Sequence, residues 1–375
     1  MSLLVLNAGS SSVKFALFAP DLTDRLRGSV TEIGGRAELS VAGLRTPVSA
    51  PDHAAAIAVL LAALSDRGHP PRSLTAAAHR VVHGGAALTA PTRLTPDTIA
   101  AIEACIPLAP LHNPAHLAGI RAMQAAAPDL PQCASFDTAF HAHQPAVATT
   151  YALPAEDRAT GLRRYGFHGI SYAALTEAVP ALAGHLPPRL LALHLGNGAS
   201  ACAILEGRSV ATTMGYSPLS GLTMGTRTGD IDGNAVLALA RTHGIDGAAR
   251  ILNQGSGLLA LGGASDMRTL AGTGQDFARE HFAYWAIRHA GSLIAAMGGL
   301  DAVAFTGGIG EHDAAIRAAI LTGLAFTGLR FDPAATGPAL HTMGSPVTAW
   351  IVPAEEERRI AAEALACLDA AADPA

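Results

Sequence analysis

The chain has 375 residues, of which 50% are hydrophobic and 15% are charged, and its formal net charge at pH 7 is −5. This length predicts two domains, and the apolar content predicts a large buried interior and excludes a disordered chain. The acidic balance argues against nucleic acid or an anionic membrane as the partner.

Cysteine usage and the first residues indicate the compartment. The four cysteines lie far apart, with no CxxC pair and no zinc spacing, which is typical of free thiols in a reducing cytosol. The opening MSLLVLNAGSSS has no basic region and too short an apolar run for a signal peptide. No apolar run reaches the roughly 18 residues that a membrane span needs. We therefore expect a cytoplasmic protein.

The first predicted element is a β-hairpin. Residues 3–6 and 13–18 have strand patterns, and the turn at 7–12 carries an amide, three hydroxyl groups and a glycine. Such a turn offers backbone N–H groups and small donors to a phosphate, although it lacks the GxxxxGK pattern of a P-loop. By itself it fits a plain hairpin equally well.

Residues 22–44 are strand-like, and residues 52–63 predict a helix. The small-residue strand predicted at 76–85, AAAHRVVHGG, ends in Arg80 and a Gly-Gly turn. A guanidinium at the end of a buried strand requires a bound anion or a carboxylate partner. The sequence leaves both alternatives open.

Three motifs in the middle of the chain carry isolated polar groups. The proline-rich PLAPLHNP at 107–114 predicts a loop, and Asp137 lies between two phenylalanines in FDTAFH. A carboxylate in such a setting is either paired or functional. RRYGFHG places Phe167 and His168 in a glycine-flanked turn, where a structural histidine is the more common interpretation.

The chain then repeats its opening pattern. A second strand–turn–strand at 190–205 aligns with the first hairpin so that Gly9 falls on Gly196, and AVAFTGG at 302–308 matches residues 76–85. This weak duplication predicts two similar α/β domains that face one another across a cleft.

The segment at 214–232, MGYSPLSGLTMGTRTGDID, combines four glycines with Pro218, Arg227, Asp230 and Asp232. No amphipathic period runs through it, and its glycines allow positive φ or close contact with a ligand. It is either a long surface loop or a site-forming loop that directs one guanidinium at an anion.

Further glycine and acidic segments follow. Residues 262–268 predict a polar turn, and residues 277–297 predict a long helix with two partly apolar faces, which suits packing against another subunit or domain. TGGIGEH at 306–312 predicts a strand-to-helix turn that can bind a nucleotide at the helix N-terminus. Three glutamates at 355–357 open a terminal helix, where they either complement the helix dipole or bind a metal.

Together these motifs resemble the acetate kinase family, in order from Leu3 to about Glu357. They are LNAGSSSVKF, HRVVHGG, APLHNP, FDTAFH, RRYGFHG, HLGNGAS, the 214–232 segment, SDMR, FTGGIGE and the glutamates after Ile351. The resemblance implies an α/β fold with two duplicated actin-like ATPase domains, whose ribonuclease H-like mixed sheets are flanked by helices around a central cleft. The implied domains are residues 1–141 with 359–375, and residues 142–358 with the nucleotide site and a homodimer interface.

The resemblance also implies a role for each matching residue. The expected catalytic residues are Asp137, Arg227, His168 and Arg80, and the expected acyl pocket consists of Arg80, Val82, Leu111, Phe167 and Pro218. The expected nucleotide-binding residues are Ser10, Ser12, Lys14, His194, Leu195, Gly196, Asn197, Gly198, Asp266, Met267, Arg268, Gly308, Ile309, Gly310, Glu311 and His312. Asn7 and Glu356 match the magnesium positions. The chain departs from the family pattern at His312, where asparagine is usual, and at Ala211, where aspartate is common.

The implied reaction is the reversible in-line transfer of the ATP γ-phosphoryl group to acetate, which gives acetyl phosphate and ADP and requires Mg²⁺, with Mn²⁺ as an alternative. An acetate oxygen is already an anion, so no general base is needed, and Asp137 is expected to position a group or bind the metal. The rival interpretations are a propionate or butyrate kinase, a pyrophosphate-linked relative, a sugar kinase and a chaperone-like ATP-binding protein. The pair Arg80 and Arg227 argues against the chaperone-like protein, because that class needs no carboxylate-binding arginines.

Overall fold

A computed structural model describes residues 2–272, 274 and 276–372. The contacts within it divide the chain into two compact units: the first runs to Ala139 and resumes at Glu355, and the second is Phe140–Ala354. These bounds lie close to those of the two domains suggested by the sequence, whose separate functional roles stay a prediction.

The first unit contains an eight-stranded mixed sheet. Its strands are β1 (Ser2–Ala8), β2 (Val13–Phe18), β3 (Asp24–Thr31), β4 (Glu38–Val41), β5 (Leu44–Pro47), β6 (Leu74–Val81), β7 (Thr92–Arg93) and β8 (Gln132–Phe136). Their order is β5-β4-β3-β2-β1-β6-β8-β7. The predicted hairpin is confirmed, since β1 and β2 pair antiparallel, and β6 lies parallel to β1 and to β8.

Helices cover this sheet. They are α1 (His53–Ser65), α2 (Pro96–Ala104) and α3 (Asn113–Ala126). The helix predicted at 52–63 is confirmed as α1, whose N-cap Asp52 accepts a hydrogen bond from the Ala55 N–H. The loop predicted at 107–114 is wrong in its last part, because Asn113 and Pro114 form the first turn of α3. Proline is well tolerated there, since the first helical N–H groups have no partner within the helix.

The second unit contains a five-stranded sheet and most of the helices. In chain order its elements are α4 (Ala146–Thr149), α5 (Ala155–Ala159), α6 (Gly169–Ala183), β9 (Arg189–Leu195), β10 (Ala199–Leu205), β11 (Arg208–Thr212), α7 (Gly233–Gln254), α8 (Gly257–Gly262), α9 (Met267–Leu270), α10 (Asp276–Met297), β12 (Ala302–Thr306), α11 (Gly307–His312), α12 (Ala314–Gly323) and β13 (Thr348–Ile351). The terminal helix α13 (Glu356–Ala372) returns to the first unit and packs against β6 and β8.

The two sheets repeat one topology. The order β11-β10-β9-β12-β13 corresponds to β3-β2-β1-β6-β8 in the first unit. In both sheets the first two pairings are antiparallel and the last two are parallel. The predicted duplication and the predicted α/β fold class are therefore confirmed.

The segment TGGIGEH differs from its prediction. It was expected to be a strand-to-helix turn, but residues 307–312 are themselves the short helix α11. The helix that the turn was expected to lead into is the separate helix α12, which Asp313 caps. Gly307 makes this abrupt start possible: its φ is +77°, and a Cβ there would lie 2.8 Å from the Leu195 carbonyl oxygen.

Two of the predictions from composition are tested by the fold. All four cysteines are free thiols, three of them buried and Cys367 half-buried, as expected. In the part of the chain that the structure describes, no helix is long and apolar enough to cross a membrane.

Candidate active site

On the first unit, a buried ion pair brings two of the expected catalytic residues together. Arg80 at the end of β6 and Asp137 just after β8 meet because these strands are parallel neighbours. Nε of Arg80 donates to Oδ1 of Asp137 over 3.0 Å, and Nη2 donates to Oδ2 over 2.7 Å. The side chains are 20% and 3% exposed, and Glu356 Oε2 lies 3.9 Å from Nη1 of Arg80. The partners of Arg80 are thus carboxylates.

In the cluster of Arg80, Asp137 and Glu356, charge and burial have opposite effects on the pKa values of the first two residues. Burial alone would lower the pKa of Arg80, but the carboxylates of Asp137 and Glu356 outweigh it and raise that pKa above its usual value. Burial raises the pKa of the Asp137 carboxyl, and Arg80 opposes the increase. One guanidinium between two carboxylates leaves an excess of negative charge, which a divalent cation would compensate.

The donor set of this cluster fits Mg²⁺. Asn7 follows Leu6, which pairs with His79, so Asn7 lies at the same end of the sheet as Arg80. Asn7 and Glu356 would supply amide and carboxylate oxygens, the ligand type that Mg²⁺ prefers. Within the described residues, no group of three or more His, Cys, Asp or Glu side chains could hold a metal ion. Mg²⁺ typically binds through one or two protein side chains together with substrate phosphates and water, so two protein ligands would be enough.

The loops beside Arg80 are held by Asn113. Its Oδ1 accepts from the His83 N–H over 3.3 Å, and its Nδ2 donates to the His83 carbonyl over 3.0 Å. The motifs HRVVHGG and APLHNP are thereby joined at the end of β6. Val82 is buried here and Leu111 is exposed. Asn113 acts on the backbone and has no expected role toward substrate.

The turn between β1 and β2, which is expected to contact phosphate, is closed by a hydrogen bond from the Gly9 N–H to the Ser12 carbonyl over 2.7 Å. Ser10 and Lys14 are exposed at this turn, so their donors are accessible. His53, the first residue of α1, bonds through Nε2 to the Gly9 carbonyl over 2.7 Å. Nothing in its sequence context indicated that His53 supports this turn.

On the second unit, His168 has an unusual backbone conformation. It precedes α6 with φ of 59° and ψ of 21°, the left-handed region that residues other than glycine rarely adopt. Its Nδ1 lies 2.9 Å from Ser200 Oγ, and its ring stacks on that of His194 at 4.1 Å. The ring of His194 is in turn bound through Nδ1 to Ser171 Oγ over 2.8 Å. The predicted turn therefore presents a histidine ring held on both sides.

His168 and Arg227 converge above Gly198. A Cβ at Gly198 would lie 3.4 Å from Nε2 of His168 and 3.5 Å from Nη1 of Arg227. Nη1 of Arg227 also donates to the Pro218 carbonyl over 3.1 Å. The glycine therefore leaves open a small space that faces two nitrogen groups able to donate to an anion.

The 214–232 segment contains no helix or strand, but it is tightly held. The Leu258 N–H donates to the Met224 carbonyl over 2.9 Å. Gly257 has φ of +64°, and a Cβ there would lie 2.1 Å from the same carbonyl oxygen. The two acids of the segment are structural, because Asp230 accepts from the Gly221 N–H and Asp232 caps α7.

Three predicted nucleotide segments meet in one cavity of the second unit, about 860 Å³ in volume. The predicted residues that line it are Gly196, Asn197, Asp266, Met267, Arg268, Gly308, Ile309 and His312. The other predicted nucleotide residues of this unit, His194, Leu195, Gly198, Gly310 and Glu311, lie outside its lining. Among them, Leu195 is buried in β9 and Glu311 accepts from the Ala354 N–H.

Arg279 in α10 joins two of these segments, and sequence reasoning missed it. Its Nη1 donates to the Met267 carbonyl over 3.1 Å, and its Nη2 donates to Oδ1 of Asp313 over 2.9 Å. The pair is 15% and 16% exposed. Asp313 also accepts from the Ile316 N–H at the start of α12. One arginine in a long amphipathic helix gives no sequence signal for such a role.

The expected acyl pocket draws on both units. Val82 and Leu111 belong to the first unit, and Phe167 and Pro218 belong to the second, where Phe167 is buried and Pro218 is half-buried. Their grouping into one pocket stays a prediction.

Comparison with known proteins agrees with the motifs. The sequence profile of the acetokinase family matches residues 2–362. The chain is 42% identical to the acetate kinase of Rhodopseudomonas palustris in an alignment of 386 positions that covers 96% of each chain. It is 43% identical to the acetate kinase of Streptomyces avermitilis in an alignment of 397 positions that covers 98% of each chain.

Two solved structures share the fold. The acetate kinase of Porphyromonas gingivalis matches with a TM-score of 0.90 at 34% identity, over 98% of this chain and 99% of that one. A propionate kinase from Francisella tularensis matches with a TM-score of 0.92 at 35% identity, over 96% of this chain and 98% of that one. Motifs, fold and relatives lead to one conclusion: the chain belongs to the acetokinase family.

Proposed function

We propose that this protein is an acetate kinase that transfers the γ-phosphoryl group of ATP to acetate, reversibly and with Mg²⁺. The observation that carries the proposal is the cavity of the second unit, in which three distant segments of the expected nucleotide site meet. The acetate kinases among its relatives support the choice of acceptor, since they align over nearly the whole chain.

The charges of the first unit suit an acceptor that is already an anion. Both carboxylate oxygens of Asp137 accept hydrogen bonds from Arg80, so this acid is badly placed to take a proton from a substrate. We therefore assign Asp137 to positioning Arg80. Arg80 would bind the acetate carboxylate, which needs no deprotonation before it attacks phosphorus.

The second unit would stabilise the transferring group. Nε2 of His168 and Nη1 of Arg227 face the space over Gly198, where both could donate to equatorial phosphoryl oxygens. Mg²⁺, held through Asn7 and Glu356, would neutralise phosphate charge during transfer. The phosphate turn with Ser10, Ser12 and Lys14 would contact the remaining phosphate oxygens.

An acyl-hydroxamate assay with ATP and Mg²⁺ tests the proposal, because hydroxylamine traps the acyl phosphate directly. Acetate, propionate and butyrate are compared at matched concentrations. We expect acetate to give the highest kcat/KM. The absence of hydroxamate from any acid, in a folded protein that binds ATP, would overturn the proposal in favour of a chaperone-like ATP-binding protein.

Propionate is the second candidate acceptor, favoured by the match to a solved propionate kinase. One added methylene changes discrimination by only about 1–3 kcal/mol, so the two acids differ by a modest factor in either case. A higher kcat/KM for propionate would assign the enzyme to that substrate and leave the phosphoryl-transfer chemistry intact.

We also propose that the enzyme is a cytoplasmic homodimer that pairs through the second unit. Large apolar side chains are exposed on α7 and α10, among them Leu237, Ile245 and Tyr284. Exposed apolar groups of this kind often mark subunit interfaces. Light scattering after size-exclusion chromatography measures the mass directly, and a monomer at micromolar concentration would contradict the proposal.

A further inference from the structure

A chain of buried hydroxyl groups lies behind the ring of His168. Nδ1 of His168 is 2.9 Å from Ser200 Oγ, and Ser200 Oγ is 2.5 Å from the hydroxyl oxygen of Tyr172. Ser200 lies in β10 and Tyr172 in the first turn of α6, and both are 0% exposed. Three consecutive groups are thus linked without solvent.

The direction of these hydrogen bonds can be inferred, because each buried donor needs an acceptor. The Tyr172 hydroxyl contacts Ser200 Oγ and the backbone of His194, and the second contact lowers the phenol pKa, as an N–H that donates to the phenol oxygen does. Ser200 is therefore the acceptor for the phenol proton, since a buried O–H without an acceptor would be costly. Tyr172 therefore donates to Ser200. The proton of Ser200 then points to Nδ1 of His168, which accepts it.

Burial keeps this chain in one protonation state. It raises the pKa of Tyr172 well above its ordinary value, so the phenol keeps its proton at any pH at which the enzyme works. A neutral imidazole that accepts at Nδ1 carries its proton on Nε2. Nε2 is the nitrogen that lies beside Gly198 and Arg227.

We propose that Ser200 and Tyr172 are positioning residues that lock His168 in the Nε2–H tautomer and fix the direction of that N–H. The proposal rests on the proposed function, in which Nε2–H donates to the transferring phosphoryl group. The opposite tautomer would present a lone pair to the phosphoryl oxygens and repel them. Stacking of His194 on the ring supports the same orientation from the side.

The tautomer is measured directly by long-range ¹H–¹⁵N NMR on ¹⁵N-histidine-labelled protein, at alkaline pH where imidazoles are neutral. The signals of His168 are assigned by their loss in His168→Asn. We expect the wild type to carry the proton on Nε2. In Ser200→Ala, we expect a substantial Nδ1–H population, because the donor to Nδ1 is gone.

Kinetics give the second readout. Ser200→Ala should lower kcat about tenfold, on the scale of lost support for an oriented histidine, with KM for ATP and acetate changed less than twofold. Tyr172→Phe should lower kcat only a few fold, because Ser200 can still donate to His168. Thr176→Val is the matched control: it removes a hydroxyl group that bonds to the backbone carbonyl of Tyr172, and it should leave kcat and tautomer unchanged.

The outcomes separate this proposal from the proposed function. An Nδ1–H tautomer in the wild type, or an unchanged tautomer and kcat in Ser200→Ala, would overturn the role of Ser200 and Tyr172 even if the enzyme phosphorylates acetate. If no acid is phosphorylated, the NMR spectrum still decides whether the hydroxyl chain sets the tautomer. Thermal melts check that every variant is folded. The wild-type tautomer is measured on the wild-type protein itself, and the only variant this measurement needs is His168→Asn, which assigns the signals.

Discussion

Arg80 and Arg227 are expected to serve the same reaction, yet the protein supports them in different ways. Arg80 extends from the end of a strand and is held by the carboxylates of Asp137 and Glu356. Arg227 lies in a segment without helix or strand, whose backbone is bonded to α8 and whose shape depends on glycines. An arginine can therefore be positioned through paired charges or through backbone geometry. Substitutions that remove these two kinds of support should have different effects on turnover and stability.

The largest effect is expected from Asp137→Asn, which removes the charge that supports Arg80. The change leaves a buried guanidinium without its main partner, which typically lowers the free energy of unfolding by about 3–5 kcal/mol. We expect turnover to fall below detection at every pH from 6 to 9, as measured with the hydroxamate assay. A shifted pH–rate profile with appreciable turnover would instead indicate that Asp137 is a general base.

Arg227→Ala tests the arginine that the 214–232 segment positions through its backbone. We expect kcat to fall by roughly 10³ or more, on the scale of other arginines that stabilise phosphoryl transfer. The melting temperature should change little, since the partly exposed side chain contributes to no core. Arg227→Lys is the companion variant and should also be slow, because lysine lacks the planar fork of donors. A loss of only a few fold in Arg227→Ala would remove this residue from the mechanism.

Gly257→Ala acts on the backbone of the segment that carries Arg227 and leaves the arginine side chain unchanged, although the added Cβ would also lie 2.6 Å from the Arg227 carbonyl oxygen. The added Cβ would lie 2.1 Å from the Met224 carbonyl oxygen, at a residue with φ of +64°. We expect a loss of stability of about 2–3 kcal/mol and a kcat lowered roughly tenfold or more. Gly244→Ala is the matched control: its φ is +71°, but nothing lies within 4 Å of its Cβ position. Equal effects of the two changes would mean that backbone strain alone, and no clash with the segment, is responsible.

Acid should weaken the unit that holds Arg80 first, because it buries more neutral histidines. Burial lowers the pKa of His79 and of His83 to about 4, and it lowers the pKa of His116 well below its ordinary value. Since these folded-state values lie below the unfolded value near 6.5, the stability is fully present above pH 6.5 and is lost as pH falls toward 4. At pH 5 each such histidine should lower the free energy of unfolding by about 2 kcal/mol.

Hydrogen exchange at pH 7.5 and pH 5 checks this expectation. Peptides from β6 and α3 should lose protection before peptides from β9 and β12. In the second unit, burial also lowers the pKa of His141 to about 4 and lowers the pKa of His281 and His289, but the last two are only half-buried. Loss of protection in the second unit first, or an equal loss in both, would contradict the prediction.

The smallest expected effect comes from Arg279→Gln, which serves as a reference for Arg80. Arg279 forms the same kind of buried arginine–aspartate pair, but it joins two walls of the nucleotide cavity and faces no expected phosphoryl group. We expect KM for ATP to rise roughly tenfold, the effect of about 1.4 kcal/mol, with kcat and KM for acetate nearly unchanged. A fall of kcat comparable to that of Arg227→Ala would contradict this separation of roles.

Much of the fold and many site residues could be predicted from local patterns. Strand alternation identified the two hairpins, and a glycine pair after a small-residue strand identified the repeat in the second unit. The resemblance to the acetate kinase family also named eight of the residues that line the cavity of the second unit, although the other lining residues, among them Arg279 and Asp313, were not named.

The residues that support the site could not be predicted in this way. Arg80 and Asp137 are 57 positions apart, and sequence patterns left open whether the partner of Arg80 is a ligand or a carboxylate. Ser200, Tyr172 and Arg279 are ordinary residues of a strand and two helices. Their roles exist only because packing brings their polar atoms within hydrogen-bond distance of a functional group.

The sequence by itself predicted most of the strands and helices and the duplication, since these depend on periodicity along the chain, and its resemblance to the acetate kinase family named the expected reactive side chains. The tertiary structure alone decided which carboxylate holds Arg80, which hydroxyl group lies beside Nδ1 of His168, and that GGIGEH is a helix. The physical reason is that charge pairing, buried hydrogen bonds and steric contacts act between atoms close in space, whatever their distance along the chain.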